Sequence, residues 1–328
     1  MFMRGMLNVT TLCALYALPG PAKIKIENKT FQSYSINRRL CPEIDPFRDT
    51  IFELYTRTNR KEAQILRTNN IAALKKSNID YSRSTVIFFH GFMDSSHSNN
   101  AITFKDAYLH RGDYNIILVN NERLLAGMDY VTAVQNCKPI GQFSAKFIDF
   151  LLIQGLRLSS LHLIGMSLGA QIAGLTSKSM KSGKPQRVTG LDPAGLLFNS
   201  LPKSERISVG DGKFVDIIHT NAGFIGDDRA VGDLDIWVNG GMKQPGCFKQ
   251  SANAPLLKYV FCSHSTSFRI YIKSLYEPKR FLITKCRNYP AYISGACSNG
   301  NTTYIGEYIN QTLRGNFFIN TMDTSLTV

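Results

Sequence analysis

The sequence is short of charge, of repeats and of clustered cysteines. Charged residues make up only 19% of the 328, against 44% hydrophobic ones, so there is material for a large buried core, as one big α/β domain or two smaller ones. No repeat, low-complexity tract or long Gly/Ser linker divides the chain. No cysteine pair shows CxxC spacing, which excludes the commonest zinc sites. After residue 22 no stretch is long and apolar enough to span a bilayer. No DNA- or RNA-reading motif accompanies the basic residues, which are dispersed, so nucleic acid is not an expected partner.

What is present points to export. Residues 1–22, "MFMRGMLNVTTLCALYALPGPA", have the pattern of a secretory signal: Arg4, a short and mostly apolar core from Met6 to Leu18, and a small-residue cleavage pattern at Gly20-x-Ala22. A start at Met3 or Met6, or a native N-terminal extension, is the alternative. Removing Cys13 with the signal leaves Cys41, Cys137, Cys247, Cys262, Cys286 and Cys297, an even count that reads as disulfides, with many pairings open. Sequons stand at Asn28, Asn301 and Asn310. The net charge of +14 would draw an exported protein toward anionic membranes, or simply keep it in solution.

From about residue 85, short β-branched runs alternate with helical patterns. Strands are expected at 84–90, 115–120, 161–166, 187–191, 215–220 and 234–239, several apolar at successive positions as in parallel strands covered on both faces. Val131, Val134, Phe147 and Leu151 recur at helical spacing, with a break expected near Pro139-Ile140-Gly141. Another helix follows Ser167, with Leu168, Ile172 and Leu175 along one side. The order predicts a doubly wound α/β sheet with helices on both faces. The expected divisions are the signal (1–22), an N-terminal segment (23–50) and one catalytic domain (51–328).

In "HLIGMSLGAQIAG" (162–174) Ser167 sits between Gly165 and Gly169, the spacing of a sharp strand-to-helix elbow that raises Oγ above the sheet. Alone, the motif is weak. A serine hydroxyl needs a base, and the base an orienting acid. Asp192 ends the strand "VTGLDP" at the same sheet edge, although Asp-Pro-x-Gly is also plain turn chemistry. Of six histidines, His219 reads as a satisfied strand-end residue and His97, His110 and His162 as surface residues; His90 shapes the turn in "FFHGF". His264, in "CSHSTS" beside a cysteine, remains as base. Ser167, Asp192, His264 is the chain order of α/β-hydrolase triads. The fold would then supply an oxyanion hole from the amides of Leu168 and Phe92.

With these residues in place the chain resembles the pancreatic lipase family, especially its insect secreted lipases and phospholipases A1. The resemblance covers roughly residues 50–325 and rests on "LYTRTNR" (54–60), "VIFFHGF" (86–92), "LIGMSLGAQIAG" (163–174), "GLDPAG" (190–195), "FVDIIHT" (214–220), "NGGMKQPGC" (239–247), "CSH" (262–264) and "RGNFFINT" (314–321). It implies the same triad and oxyanion hole, and the disulfides Cys247–Cys262, Cys286–Cys297 and Cys41–Cys137, the first pinning a lid loop. Met166 stands where the family usually has His, Phe or Tyr, and "LVNNER" (118–123) replaces a usual V-D-W. In "SERISVGDGK" (204–213), which resembles the family's calcium loop, Gly210 stands where an acidic residue is often found, so one oxygen ligand is missing. No metal and no cofactor is expected.

Only 14 residues separate Cys247 from Cys262, and the segment between "HTNAG" and "VGDLDIW" is also short. In the family, short versions of both loops resemble phospholipases A1, because a short lid leaves room for a charged head group. The chain is also read as lacking the C-terminal β-sandwich of larger triacylglycerol lipases. Phe248, Leu256, Leu257, Tyr259, Val260 and Phe261 are expected lid residues, dipping into an interface or packing over the cleft. The expectation is a secreted serine ester hydrolase acting on lipid at a membrane or micelle surface, and within that a phospholipase A1. A neutral lipase or galactolipase is the alternative, and a non-catalytic lipid-binding protein is a more distant one.

Overall fold

Successive apolar residues form buried strands here because helices cover both faces of one sheet. The computed structural model describes residues 17–26, 29–36, 45–125, 130–248 and 256–321. The parallel core comprises β5 (Ser84–Phe89), β6 (Tyr114–Asn120), β7 (Leu161–Met166), β8 (Arg187–Leu191), β9 (Phe214–His219), β10 (Leu234–Val238) and β13 (Gly315–Ile319). Antiparallel strands extend it at both ends: β3 (Ile51–Tyr55) with β4 (Gln64–Leu66), and β11 (Leu282–Lys285) with β12 (Thr302–Tyr304). The order across the sheet is β12-β11-β13-β10-β9-β8-β7-β5-β6-β3-β4. Each of the six expected strands is found within a residue or so. This is the mostly parallel α/β-hydrolase architecture.

Alternation sorts the side chains. Ile87, Phe89, Ile117, Val119, Leu163, Val188 and Ile217 face one core with helices α2 (Tyr130–Ile153) and α3 (Leu168–Ser179). Val86, Phe88, Ile116, Leu118, Ile164, Leu191 and Ile218 face the other, with α1 (Asn99–Arg111) and α4 (Leu256–Tyr276). Outside this sheet, β1 (Ala17–Ile26) and β2 (Lys29–Ile36) pair antiparallel. Residues 17–22 of the expected signal therefore stand in β1, while the rest of that segment and Asn28 lie outside the described residues.

Three expectations are corrected. The helix break near Pro139 does not occur, since α2 runs through it. A proline in a helix interior costs about 3 kcal/mol, and this one is offset by the apolar face that Phe143, Phe147, Ile148 and Leu151 bury. Gly141 lets α2 close on α3, because a Cβ there would stand 2.9 Å from that of Leu175.

His162 is not a surface residue; it is 8% exposed. Its sequence neighbours point to the opposite core, and its own side of β7 meets a buried polar cluster. There His162 Nε2 donates to Thr189 Oγ1 at 2.7 Å, Thr189 donates to Asp216 Oδ1 at 2.8 Å, and Arg187 forks onto Asp216. The expected Cys41–Cys137 bridge is absent, because Cys137 is a free, buried thiol donating to the Ala133 carbonyl one helical turn back. Cys41 lies outside the described residues.

Candidate active site

At the carboxyl end of β7 the chain turns into α3 at Ser167, whose φ of +58° is a region that bulky L-residues avoid. The flanking glycines make room for the turn. A Cβ on Gly165 would lie 2.0 Å from the Gly169 carbonyl oxygen, and one on Gly169 would lie 2.0 Å from that of Phe89. Backbone therefore packs on backbone, and two bonds pin the elbow: Ser167 N donates to Leu191 O (3.0 Å) and Ala194 N to Ser167 O (3.2 Å).

Asp192 follows β8, one strand over, with φ +44° and its carboxylate fully buried. Oδ1 accepts the amides of Thr220 and Asn221 at 2.7 and 3.0 Å. Oδ2 accepts from His264 Nδ1 at 2.6 Å. Gly226 lies under the carboxylate, where a Cβ would come within 2.7 Å of Oδ2. Since an ionised carboxylate only accepts, the proton of a neutral His264 is on Nδ1 and its Nε2 lone pair is bare. That Nε2 is buried and has no hydrogen-bond partner among the described residues, so no bond joins it to Ser167 in this conformation. Such bonds tighten in substrate complexes. The arrangement offers a base with a fixed tautomer and a vacant lone pair.

His264 lies on α4 two residues after Cys262, which is bridged to Cys247. Its carbonyl accepts from Thr220 Oγ1 (3.3 Å) and Ser267 Oγ (3.1 Å). The second expected bridge, Cys286–Cys297, is also formed. Beneath the Cys247–Cys262 staple, Phe224 and Ile225 of the short β9–β10 segment pack with Val260. Of the expected lid residues, Val260 is fully buried and Phe261 is 48% exposed. Phe248, Leu256, Leu257 and Tyr259 are helical, and residues 249–255 lie outside the described residues.

Leu168 opens α3, where amides have no partner within their own helix. Phe92 follows β5; its ring meets Tyr130 edge-on at 5.2 Å, and Met93 N anchors that loop on Leu125 O at 3.0 Å. His90 does shape the turn, its Nδ1 donating to the Gly91 carbonyl at 3.0 Å while Nε2 accepts from Asn121 N at 3.4 Å. Asn120, in the departure from V-D-W, ends β6 and donates to Glu53 at 3.2 Å. His97 and His110 are at the surface, as are Asn301 and Asn310.

The sequence reading missed the Thr220 and Asn221 amides. Their signal was the polar Thr220-Asn221 pair directly after an apolar strand.

The loop resembling a calcium site is organised differently. Buried Asp211 accepts from Ser208 N at 2.9 Å and from the ammonium of Lys178, which also donates to Ser208 Oγ at 3.0 Å. Lys184 and Arg206 lie close enough to act on Lys178. Calcium needs six or more oxygens; of this loop's two carboxylates, Asp211 is already neutralised by Lys178 and Glu205 stands half-exposed beside Lys138, and Gly210 adds no ligand. The residues present do not fit a calcium ion.

A profile described as Lipase matches residues 25–325. Lipase member H of Xenopus tropicalis is 35% identical over 249 residues, 75% of this chain and 53% of that protein. Pancreatic triacylglycerol lipase of Myocastor coypus is 32% identical over 306 residues, 84% of this chain and 65% of that protein. The chain spans about half the length of the lipase H proteins it matches. An esterase of Pyrococcus furiosus superposes with a TM-score of 0.31 at 19% identity, over 46% of this chain and 65% of that one. With a match that runs through the elbow, the buried acid and the helix carrying His264, the chain belongs to the lipase family, the pancreatic lipase branch of the α/β-hydrolases.

Proposed function

We propose that the protein is a secreted serine ester hydrolase of lipids, and that its substrate is the sn-1 acyl ester of phosphoglycerides. The observation that carries the chemistry is the buried Asp192–His264 pair, tautomer fixed and Nε2 open, at the sheet edge where the Ser167 elbow rises. In this reading Ser167 Oγ attacks the acyl carbonyl as His264 Nε2 takes its proton. The oxyanion is held by the Phe92 and Leu168 amides. His264 then protonates the leaving lysolipid alcohol, and water, deprotonated by the same imidazole, releases the fatty acid from the acyl-enzyme. Asp192 holds the imidazole in place.

What supports the phospholipid assignment is the shortness of the two loops: Phe224 and Ile225 of the β9–β10 segment are buried with Cys247 and Val260, and a short lid suits a charged head group. Export is supported by the two bridges, since disulfides persist in oxidising compartments; among the described residues no helix is long and apolar enough to cross a membrane.

The test is acyl release from vesicles of phosphatidylcholine, a galactolipid or triolein. Phosphatidylcholine should be cleaved at sn-1, and Ser167→Ala should lose roughly 10,000-fold or more of that rate. Release from triolein alone would make the protein a neutral lipase. A serine-directed phosphonate that fails to label Ser167 in folded protein would favour a lipid-binding role.

A further inference from the structure

A second imidazole–carboxylate pair lies behind the first. β9 ends at His219, and the next two residues are the ones whose amides hold Asp192 Oδ1. His219 is fully buried, its ring stacked on Trp237 of β10 with centroids 3.9 Å apart and planes 7° from parallel. Nε2 is 2.8 Å from Asp235 Oδ1, and Nδ1 is 3.1 Å from the Asp227 carbonyl oxygen.

The partners decide the protonation. A carbonyl oxygen can only accept, so Nδ1 carries a proton. The Asp235 carboxylate takes amides on both oxygens, Val231 N at 3.0 Å and Gly232 N at 3.3 Å on Oδ1, and Gly232 N at 3.1 Å on Oδ2. That pattern belongs to an ionised acceptor, so Nε2 carries a proton too.

We infer that His219 is a buried imidazolium, and that it is a positioning residue for the catalytic pair, setting a positive charge behind Asp192 and fixing the turn that delivers the Thr220 and Asn221 amides. The inference rests on reading Ser167, Asp192 and His264 as the catalytic triad. Charges acting on the ring are Asp235 from β10 and Asp192 from the end of β8; Asp227 of the β9–β10 segment meets it through its carbonyl, and its carboxylate is engaged by Arg229 at 2.8 Å. Burial pulls the ring's pKa down, but the bond and charge of Asp235, then the charge of Asp192, outweigh it and leave the pKa above the ordinary histidine value. Trp237 offers its π face, favourable to a cation.

Counting charges gives the consequence. Asp192 and Asp235 against one imidazolium leave a resting cluster at −1, and the cluster becomes neutral when His264 takes the serine proton. Without His219 the resting cluster is −2, and His264 should hold its proton too tightly.

Two measurements on the full chain test this. In a 15N-histidine spectrum at pH 7, His219 should show both ring nitrogens protonated; one bare nitrogen there overturns the inference, whatever any variant does. In His219→Gln, the acid limb of the kcat/KM profile on a soluble short-chain ester should move up by about one pH unit, a tenfold change in proton affinity. In Trp237→Phe, which keeps the charge, the limb should stay while Tm falls. An unmoved limb in His219→Gln, with Ser167 still labelled by phosphonate, overturns the positioning role. Unlabelled Ser167 beside a doubly protonated His219 overturns the triad reading instead.

Discussion

A single methyl group is enough to probe the elbow. Gly169 lies so close to the Phe89 and His90 carbonyls (2.0 and 2.6 Å from an added Cβ) that these backbones cannot separate without opening the β5 loop that carries Phe92. Gly169→Ala should therefore cost more than the ~1–3 kcal/mol usual for overpacking. Thermal unfolding is the check: a Tm within a few degrees of the parent would mean the contact relaxes easily. By contrast Met166, unusual for its place in the motif, is buried at 7% exposure on the far core. It packs, and takes no part in the site's hydrogen bonds.

Helix position and a covalent tether act together on His264. Helix α4 brings His264 to Asp192, and the Cys247–Cys262 bridge, closing 15 residues, is worth about 3 kcal/mol in the chain-entropy account. Its placement two residues before His264 matters more. Cys262→Ser should lower ester hydrolysis proportionately further than it lowers Tm, and equal activity would show that α4 seats the imidazole unaided.

The cluster that joins α1 and α4 to the sheet predicts acid sensitivity. Tyr108 of α1 and Tyr271 of α4 have hydroxyls 2.6 Å apart that converge on Glu307, beside Arg187 and His162. Burial, and then Arg187, hold the His162 pKa well below its ordinary value of 6.5. The unfolded chain thus binds a proton that the native one refuses. The resulting stability is present above the unfolded pKa and is lost as pH falls from there toward the folded value. His162→Gln, which keeps a donor for Thr189, should lose less Tm than the parent between pH 7 and 5; parallel losses would refute the assignment.

At this scale the sequence was informative where pattern is local. Runs such as "VIFFH" announce strands buried on both sides, and G-x-S-x-G announces the elbow. It was silent where tertiary packing decides. Pro139 signals a break only if the helix has nothing to bury, and His162 reads as exposed only if its strand partners are unknown. His264 was identified by eliminating other histidines, but nothing local shows that His219 is flanked by two acceptors. Cys137 is one thiol in an even count, and only its buried place on α2 shows it unpaired.

Across the whole molecule, an internal ammonium takes over a task that could fall to a metal ion. Lys178 binds the 204–213 loop to α3, so a chelator should leave Tm and ester hydrolysis unchanged, and added calcium should not raise either. Lys178→Ala should destabilise by less than the ~3–5 kcal/mol of a fully buried pair broken on one side, because the lysine is 19% exposed. A fall in parent Tm on chelation would overturn this. The charge of +14 predicts stronger binding to anionic than to neutral vesicles, weakening as salt rises.

The bridge beside His264 also sets a schedule. On the proposed reading, a chain whose Cys247 and Cys262 are still reduced would hold His264 without its neighbouring tether, and forming that bond would complete the site. Fresh protein kept under dithiothreitol should accordingly show a lag that ends when oxidant is added.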